Sequence, residues 1–308
     1  MIKYVILIFL TACTTPHSSS QTTSVQATVP FKYYEKELIA VPVTINDSLT
    51  TTFILDTGIG INILSKKLCE TLSCRTLGHH TGKRMSGQEV TVPMSSVKAL
   101  SFAGHVETDI PVGIFEMEKI MPGSDIGGFL SLGFFSKTAF TVNYKDQTIS
   151  IEDADSLMRL KSKGKIVPVR IDNSDSAMGV FLPLILPTGQ EISVEVDTGS
   201  QSIILDEHFM APLGFSVNDE RVRRRDGQDE TEHVFTRYFA KIDGAINFPG
   251  PDKIGVTSMD AMFQKIIYDG LVGHRFLSQF IVTYNLPESE MIFSIPATDN
   301  AGGIDARN

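Results

Sequence analysis

The residues best placed to do chemistry are two aspartates in matching settings. Phe53-Ile54-Leu55-Asp56-Thr57-Gly58 is answered 141 residues later by Val194-Glu195-Val196-Asp197-Thr198-Gly199. In each copy an apolar run, reading as a buried strand, delivers an aspartate to a glycine turn. The glycine lets the main chain turn sharply and bring N–H groups close to the carboxylate. The threonine offers a hydroxyl able to bond across to the other loop's backbone. If the two loops meet, two carboxylates share one site, both cannot ionise cheaply, and one proton is held between them. Such a pair takes a proton from water with one carboxylate while the other donates one to a carbonyl oxygen. The outcome is direct attack of water on an amide, with no covalent intermediate, no metal and no cofactor.

The repetition extends beyond the loops. Ile61-Asn62-Ile63-Leu64-Ser65 is matched by Ser202-Ile203-Ile204-Leu205-Asp206, and Gly128-Phe129-Leu130-Ser131 by Gly270-Leu271-Val272-Gly273. Both of the latter precede a Phe-rich turn and then a strand, Phe140–Tyr144 or Phe280–Tyr284. A single Asp-Thr-Gly is most often a turn after a strand. Two copies with the same partners in the same order are a duplication.

These segments resemble the retropepsin and pepsin clan of aspartic peptidases, and look closest to bacterial retropepsin-like proteins with both lobes fused in one chain. The resemblance spans nearly all of residues 35–295, with its specific part in the four landmark segments. It implies an all-β fold of two homologous pepsin/retropepsin-like β-barrel lobes with the active site in the cleft between them. It implies Asp56 and Asp197 as the catalytic dyad, supported by Thr57, Gly58, Thr198, Gly199 and Ser200, with the two threonines interlocking beneath. The Ser200 hydroxyl is expected to bond a catalytic carboxylate. In this clan a β-hairpin flap covers the substrate. Ser86 and Gly87, within Arg84–Gln88, are the flap candidates, and Asp226 and Gly227, within Arg224–Gln228, their counterparts; both stretches carry Gly-Gln. Neither has a tyrosine, which fits the retropepsin side. The first lobe departs from the pattern, with Ile59 where the second has Ser200 and Ser131 where the second has Gly273. By that comparison it is the less typical lobe.

The elements that must position these loops read as strands. Leu38–Ile45 and Thr51–Leu55 are rich in Val, Ile, Thr and Phe around an Asn46-Asp47 turn. Val180–Leu186 and Ile192–Val196 repeat this around Pro187-Thr188-Gly189-Gln190. Short helices are expected at Ser65–Leu72 and Asp260–Ile267. The polar, basic stretch within 154–164 is read as the linker between an N-terminal lobe (31–153) and a C-terminal lobe (165–296), with a loose tail at 297–308.

At the start, Lys3, the apolar run Tyr4–Leu10 and the ending Leu10-Thr11-Ala12-Cys13 read as a signal segment (1–12), too short to span a bilayer as a stable helix. The ending resembles the lipobox of bacterial lipoproteins. That resemblance implies lipidation of Cys13 and an anchor on the bacterial envelope, on the periplasmic face of the outer membrane. Residues 13–30 are rich in Ser, Thr and Gln and are expected to be a flexible tether. The remaining cysteines, Cys69 and Cys74, either form a short-loop disulfide after export or stay unpaired, since on a helix their spacing points the thiols apart. The formal charge of −9 over 308 residues, without a long basic tract, disfavours nucleic acid as a partner. The Arg221–Arg225 run, followed by acidic residues, reads as a solvated hairpin, and His79-His80 as surface histidines, because neighbours on a strand face opposite ways. The expected function is an aspartic endopeptidase acting on peptide or protein substrates as a monomer, since one chain supplies both loops. The alternative is a non-catalytic lipoprotein that holds a peptide or protein in the same cleft.

Overall fold

The computed structural model describes residues 27–174, 177–228 and 233–296. The signal segment, Cys13, the tether up to residue 26 and the tail 297–308 lie outside the described residues.

Twenty-two strands run through the described residues, and the order of the first half is repeated by the second. The first half holds β1 (Ala27–Pro30), β2 (Lys32–Tyr34), β3 (Leu38–Ile45), β4 (Leu49–Leu55) and β5 (Ile63–Ser65). Helix α1 (Lys66–Thr71) follows, then β6 (Gly78–Lys83), β7 (Glu89–Phe102), β8 (His105–Phe115), β9 (Ile126–Leu130), β10 (Ala139–Asn143) and β11 (Thr148–Glu152). After helix α2 (Ala154–Lys163) come β12 (Lys165–Pro168), β13 (Arg170–Asp172), β14 (Gly179–Ile185), β15 (Glu191–Val196) and β16 (Ile203–Asp206). The chain closes with β17 (Arg223–Gln228), β18 (Val234–Asn247), β19 (Gly255–Gln264), β20 (Gly270–Val272), α3 (His274–Leu277), β21 (Ile281–Asn285) and β22 (Glu290–Ser294).

Each lobe is one eight-stranded sheet, in the order β2-β3-β4-β9-β5-β8-β7-β6 or β13-β14-β15-β20-β16-β19-β18-β17. Extra pairings, β3 with β7 and β14 with β18, curl each sheet back on itself as a barrel. Strand β3 shows why: buried and less buried side chains alternate along Leu38–Ile45, so one face is core. At the Asn46-Asp47 turn both residues have positive φ, 50° and 56°, the geometry that two-residue hairpins favour. Strand β9, covered on both faces, is buried throughout.

A third sheet, β1-β11-β10-β21-β22-β12, draws on both halves. At its centre Thr141 pairs with Thr283, their hydroxyls 2.8 Å apart, where the two copies of the repeat meet. Phe140 stacks flat on Tyr284 at 4.5 Å, so one buried aromatic cluster is common to the two lobes.

Several sequence expectations are corrected. Residues 27–30, read as the end of the tether, form β1 against β11, because alternate side chains of ATVP find cover on the shared sheet. The stretch 154–164 is mostly helix α2: Asp153 and Ser156 form a reciprocal capping box, and Lys161 bonds Glu288 and Glu290 at 2.6 Å. The helix expected at 260–267 is instead the end of β19, which pairs with β18 and β16. Tertiary pairing overrides a weak local helical pattern there. The helix expected at 65–72 is present as α1, with Ser65 as its cap. It ends at Leu72, and Ser73 turns left-handed with φ 53°, so that Cys74 N–H bonds Cys69 C=O at 2.9 Å. This terminal motif folds Cys74 back beside Cys69, whereas a continuing helix would have separated the thiols. Both cysteines are free.

Candidate active site

Asp56 and Asp197 close β4 and β15, and each is fixed by its own lobe before it meets the other. Asp56 N–H bonds Leu130 C=O and Asp197 N–H bonds Val272 C=O, both at 3.0 Å, so β9 and β20 set the exit of each loop. Within the turns, Gly58 N–H donates to Asp56 Oδ1 at 3.0 Å and Gly199 N–H to Asp197 Oδ1 at 2.8 Å. A side chain on either glycine is impossible. A Cβ on Gly58 would lie 2.6 Å from the Asp197 carboxyl carbon, and one on Gly199 would lie 2.6 Å from Asp56 Oδ2. Each glycine thus makes room for the opposite lobe's carboxylate.

Beneath the carboxylates the threonines bond crosswise. Thr57 Oγ1 donates to Val196 C=O at 2.7 Å and accepts from Thr198 N–H at 3.0 Å. Thr198 Oγ1 donates to Leu55 C=O at 2.7 Å and accepts from Thr57 N–H at 3.1 Å. All four bonds cross the lobe boundary and both threonines are buried.

Burial, then the charge of Asp197, holds the Asp56 carboxyl well above the usual carboxylate range. Burial also raises Asp197, while the Gly199 amide favours its charged form. The Gly58 amide does the same for Asp56. With both carboxyls raised and facing each other, the pair holds one proton between them. The expectation for Ser200 is corrected here: its main-chain N–H donates to the Asp197 C=O at 3.2 Å, and no bond from its hydroxyl to a catalytic carboxylate is present among the described residues.

The dyad opens into a cavity of about 380 Å³ that the hairpin β6–β7 roofs. The hairpin's tip is Arg84–Gln88, closed by Arg84 N–H to Gln88 C=O and Gly87 N–H to Arg84 C=O. Ser86 and Gly87 sit at that tip, and Ser86 lines the cavity with its Oγ buried and without a partner. The tip is latched to the second lobe. Ile267 N–H donates to Met85 C=O at 2.9 Å, and Met85 packs on the apolar cluster of Ile204, Met262, Ile266 and Leu271. The second hairpin does not mirror this as expected. Asp226 and Gly227 lie inside β17, with Asp226 exposed and bonded to Arg224 and Thr236, and Gln228 pairs with Val234. The connection falls after Gln228, so the shared Gly-Gln marks different places in the two hairpins. What β18 brings to the cavity is Phe235 and Arg237, the latter stacked on Phe235 and bonded to Gln264 at 2.8 Å.

The first-lobe departures have structural compensation. A Cβ at Gly273 would lie 2.3 Å from Ser200 C=O, so the second lobe needs its glycine. Ser131, fully buried, is held by Asn62, whose Oδ1 accepts from its N–H at 2.9 Å. Asn62 was legible only as a polar residue inside an apolar run, opposite Ile203 in the repeat. Ile59 lines the cavity as an apolar wall. Glu195 and Tyr268 also line the cavity and escaped the sequence reading. The signal for Glu195 was a carboxylate where the first copy has Ile54. His79 and His80 lie on β6 away from any grouping of metal-ligating side chains among the described residues.

Residues 41–134 match the model of the aspartyl protease family. The match falls on the lobe carrying Ile59 and Ser131, so the lobe read as less typical is the one the family model matches. The crystal structure of basic 7S globulin from soybean superposes with a TM-score of 0.52, covering 87% of this chain and 94% of that chain at 11% identity. The fold is two pepsin-like β lobes, the first of which carries the aspartyl protease match. No curated protein matches the sequence.

Proposed function

We propose that the protein is an aspartic endopeptidase that cleaves peptide bonds laid between the lobes. The observation that carries this reading is the dyad: two carboxylates from opposite lobes, set against one another beneath the tip of the hairpin β6–β7. In the proposed reaction a water lies between the carboxylates. Asp197, as the charged member of the pair, takes its proton as the oxygen attacks the scissile carbonyl carbon, and Asp56 gives its proton to the carbonyl oxygen. Collapse of the resulting diol returns that proton to Asp56 while Asp197 protonates the departing amine. The Ser86 hydroxyl, unpartnered at the flap tip, is placed to bond the substrate from above. Cleavage of a peptide library across about pH 4–8 by the wild type, Asp56→Asn and Asp197→Asn tests this. Each substitution should lower kcat by at least about 100-fold; cleavage surviving either one sinks the shared-dyad mechanism.

The second reading is a binding protein that uses the same cleft. The latch between Met85 and Ile267 favours it, since the roof must release before an extended chain can enter. Peptide binding without cleavage by any of the three proteins would select this reading.

We further propose that the protein is exported and lipid-anchored through Cys13, on the periplasmic face of the outer membrane. The support is Lys3, the apolar run to Leu10 and the Leu-Thr-Ala-Cys ending. Fatty-acid labelling that is lost in Cys13→Ala would support the anchor, and labelling that persists would overturn it.

A further inference from the structure

A third carboxylate stands at the dyad. Glu195 precedes Asp197 by two residues on β15, so both side chains emerge on the same face of the strand. The first copy of the repeat has Ile54 at this place, wholly buried. Glu195 borders two cavities: the dyad chamber, and a neighbouring one of about 600 Å³ that opens beside Gly58 and Ile59. The second cavity is walled by the flap hairpin on one side and by β13 and β14 on the other.

The surroundings of Glu195 are built, yet lack a counter-ion. The Tyr268 side chain lies beside its carboxylate. Tyr268 is braced edge-on by Phe181 at 5.9 Å, and Arg170 caps the other part of that ring at 4.0 Å. Gly179 lies alongside, where a Cβ would come 3.5 Å from Glu195 Oε1. Among the described residues no cation pairs with Glu195. The other carboxylate on that wall, Asp172, has Arg170 and the Ser174 amide as partners. Lys83 and His80 face the cavity from the hairpin, with Lys83 exposed at the rim beside Glu89.

We infer that this second cavity is a side-chain subsite adjoining the scissile bond, and that Glu195 makes it select a lysine or arginine of the substrate. The inference rests on the peptidase reading. A long basic side chain suits the site in both its parts. Its methylenes lie along Ile59 and Phe181, and its cation supplies the partner that a largely buried carboxylate lacks. An acidic side chain meets Glu195 and Asp172 and is rejected; a neutral one leaves Glu195 without a counter-ion.

The test uses reduced-amide peptides, which bind without being cleaved, carrying lysine, norleucine or glutamate at each position flanking the central bond. Dissociation constants are measured for the wild type, Glu195→Gln and Glu195→Lys, each checked for a cooperative melt. At one flanking position the wild type should bind the lysine peptide about tenfold more tightly than the norleucine peptide. That ratio should fall to about one in Glu195→Gln, and Glu195→Lys should prefer glutamate. Norleucine serves as the reference, so a general loss of binding cancels in the ratio. Equal affinities in the wild type, or a lysine preference that survives Glu195→Gln, would overturn the inference. If the preference is present but the parent amide peptides are not cleaved, the subsite stands and the peptidase reading fails. If no peptide binds, both fall.

Discussion

Replacing Thr57 by valine tests how the two halves of the site are held. Valine keeps the shape of threonine, so the substitution opens no cavity and removes a hydroxyl alone. Two buried bonds go with it, the donation to Val196 C=O at 2.7 Å and the acceptance from Thr198 N–H at 3.0 Å. Each orphaned buried group costs about 1–3 kcal/mol, so the loss is about 2–6 kcal/mol. For a chain of this size about 2 °C of Tm accompanies each kcal/mol, giving a fall of about 4–12 °C. The control is Thr81→Val, which removes an exposed Thr81–Thr91 hydroxyl pair at 2.7 Å and should move Tm by about 1 °C or less. Thr198→Val removes the other two crossing bonds. In the double variant the second loss should cost at least about 1 kcal/mol less than it does alone, because the junction has already parted. Calorimetry or urea unfolding reads all four variants against the wild type. A Thr57→Val melt within about 1 °C of the wild type would refute the view that the crosswise threonines clamp the lobes.

Burial pushes the Glu195 carboxyl up from its ordinary 4.5 to about 7. Its contribution to stability is therefore complete below about pH 4.5 and is lost as pH rises through about 7, a change of up to ~3 kcal/mol. The urea midpoint of the wild type should fall between about pH 5 and pH 8 by more than that of Glu195→Gln; parallel curves would contradict this. Burial, with the Cys74 thiol beside it, pushes Cys69 up to about 12, so at about pH 8 Cys69 should alkylate with iodoacetamide only after unfolding, while Cys74 reacts in the native protein. Equal native rates for the two thiols would argue against that packing. Ser86→Ala, which removes the unpartnered hydroxyl over the dyad, should lower kcat/KM about tenfold, and an unchanged value would remove Ser86 from substrate contact.

The parts legible in the sequence were those written twice. The aspartate loops, the runs ending at Ser131 and Gly273 and the hairpin over Arg84–Gln88 each had either a copy or a sharp turn signal. Polar residues used once left weaker traces. Asn62 and Glu195 look ordinary until the repeats are laid side by side, where each replaces an apolar residue. The second hairpin misled because Gly-Gln was read as the turn, whereas cross-strand pairing carries β17 through Gln228. Residues 260–267 misled because a short apolar-polar pattern fits helix and strand alike until a partner strand decides.

Sequence by itself determined that this chain holds two copies of one β lobe and that each copy presents a carboxylate on a glycine turn. Those features are local: periodicity, turn residues and repetition. Only the tertiary structure decided that the carboxylates meet, because each glycine is shaped to the opposite aspartate and each threonine is satisfied by the opposite strand. It also raised both carboxyls by burying them against each other, and it set a third carboxylate, Glu195, beside them. Proton affinity depends on burial and on neighbours distant in the chain, and the order of residues along a strand does not contain either.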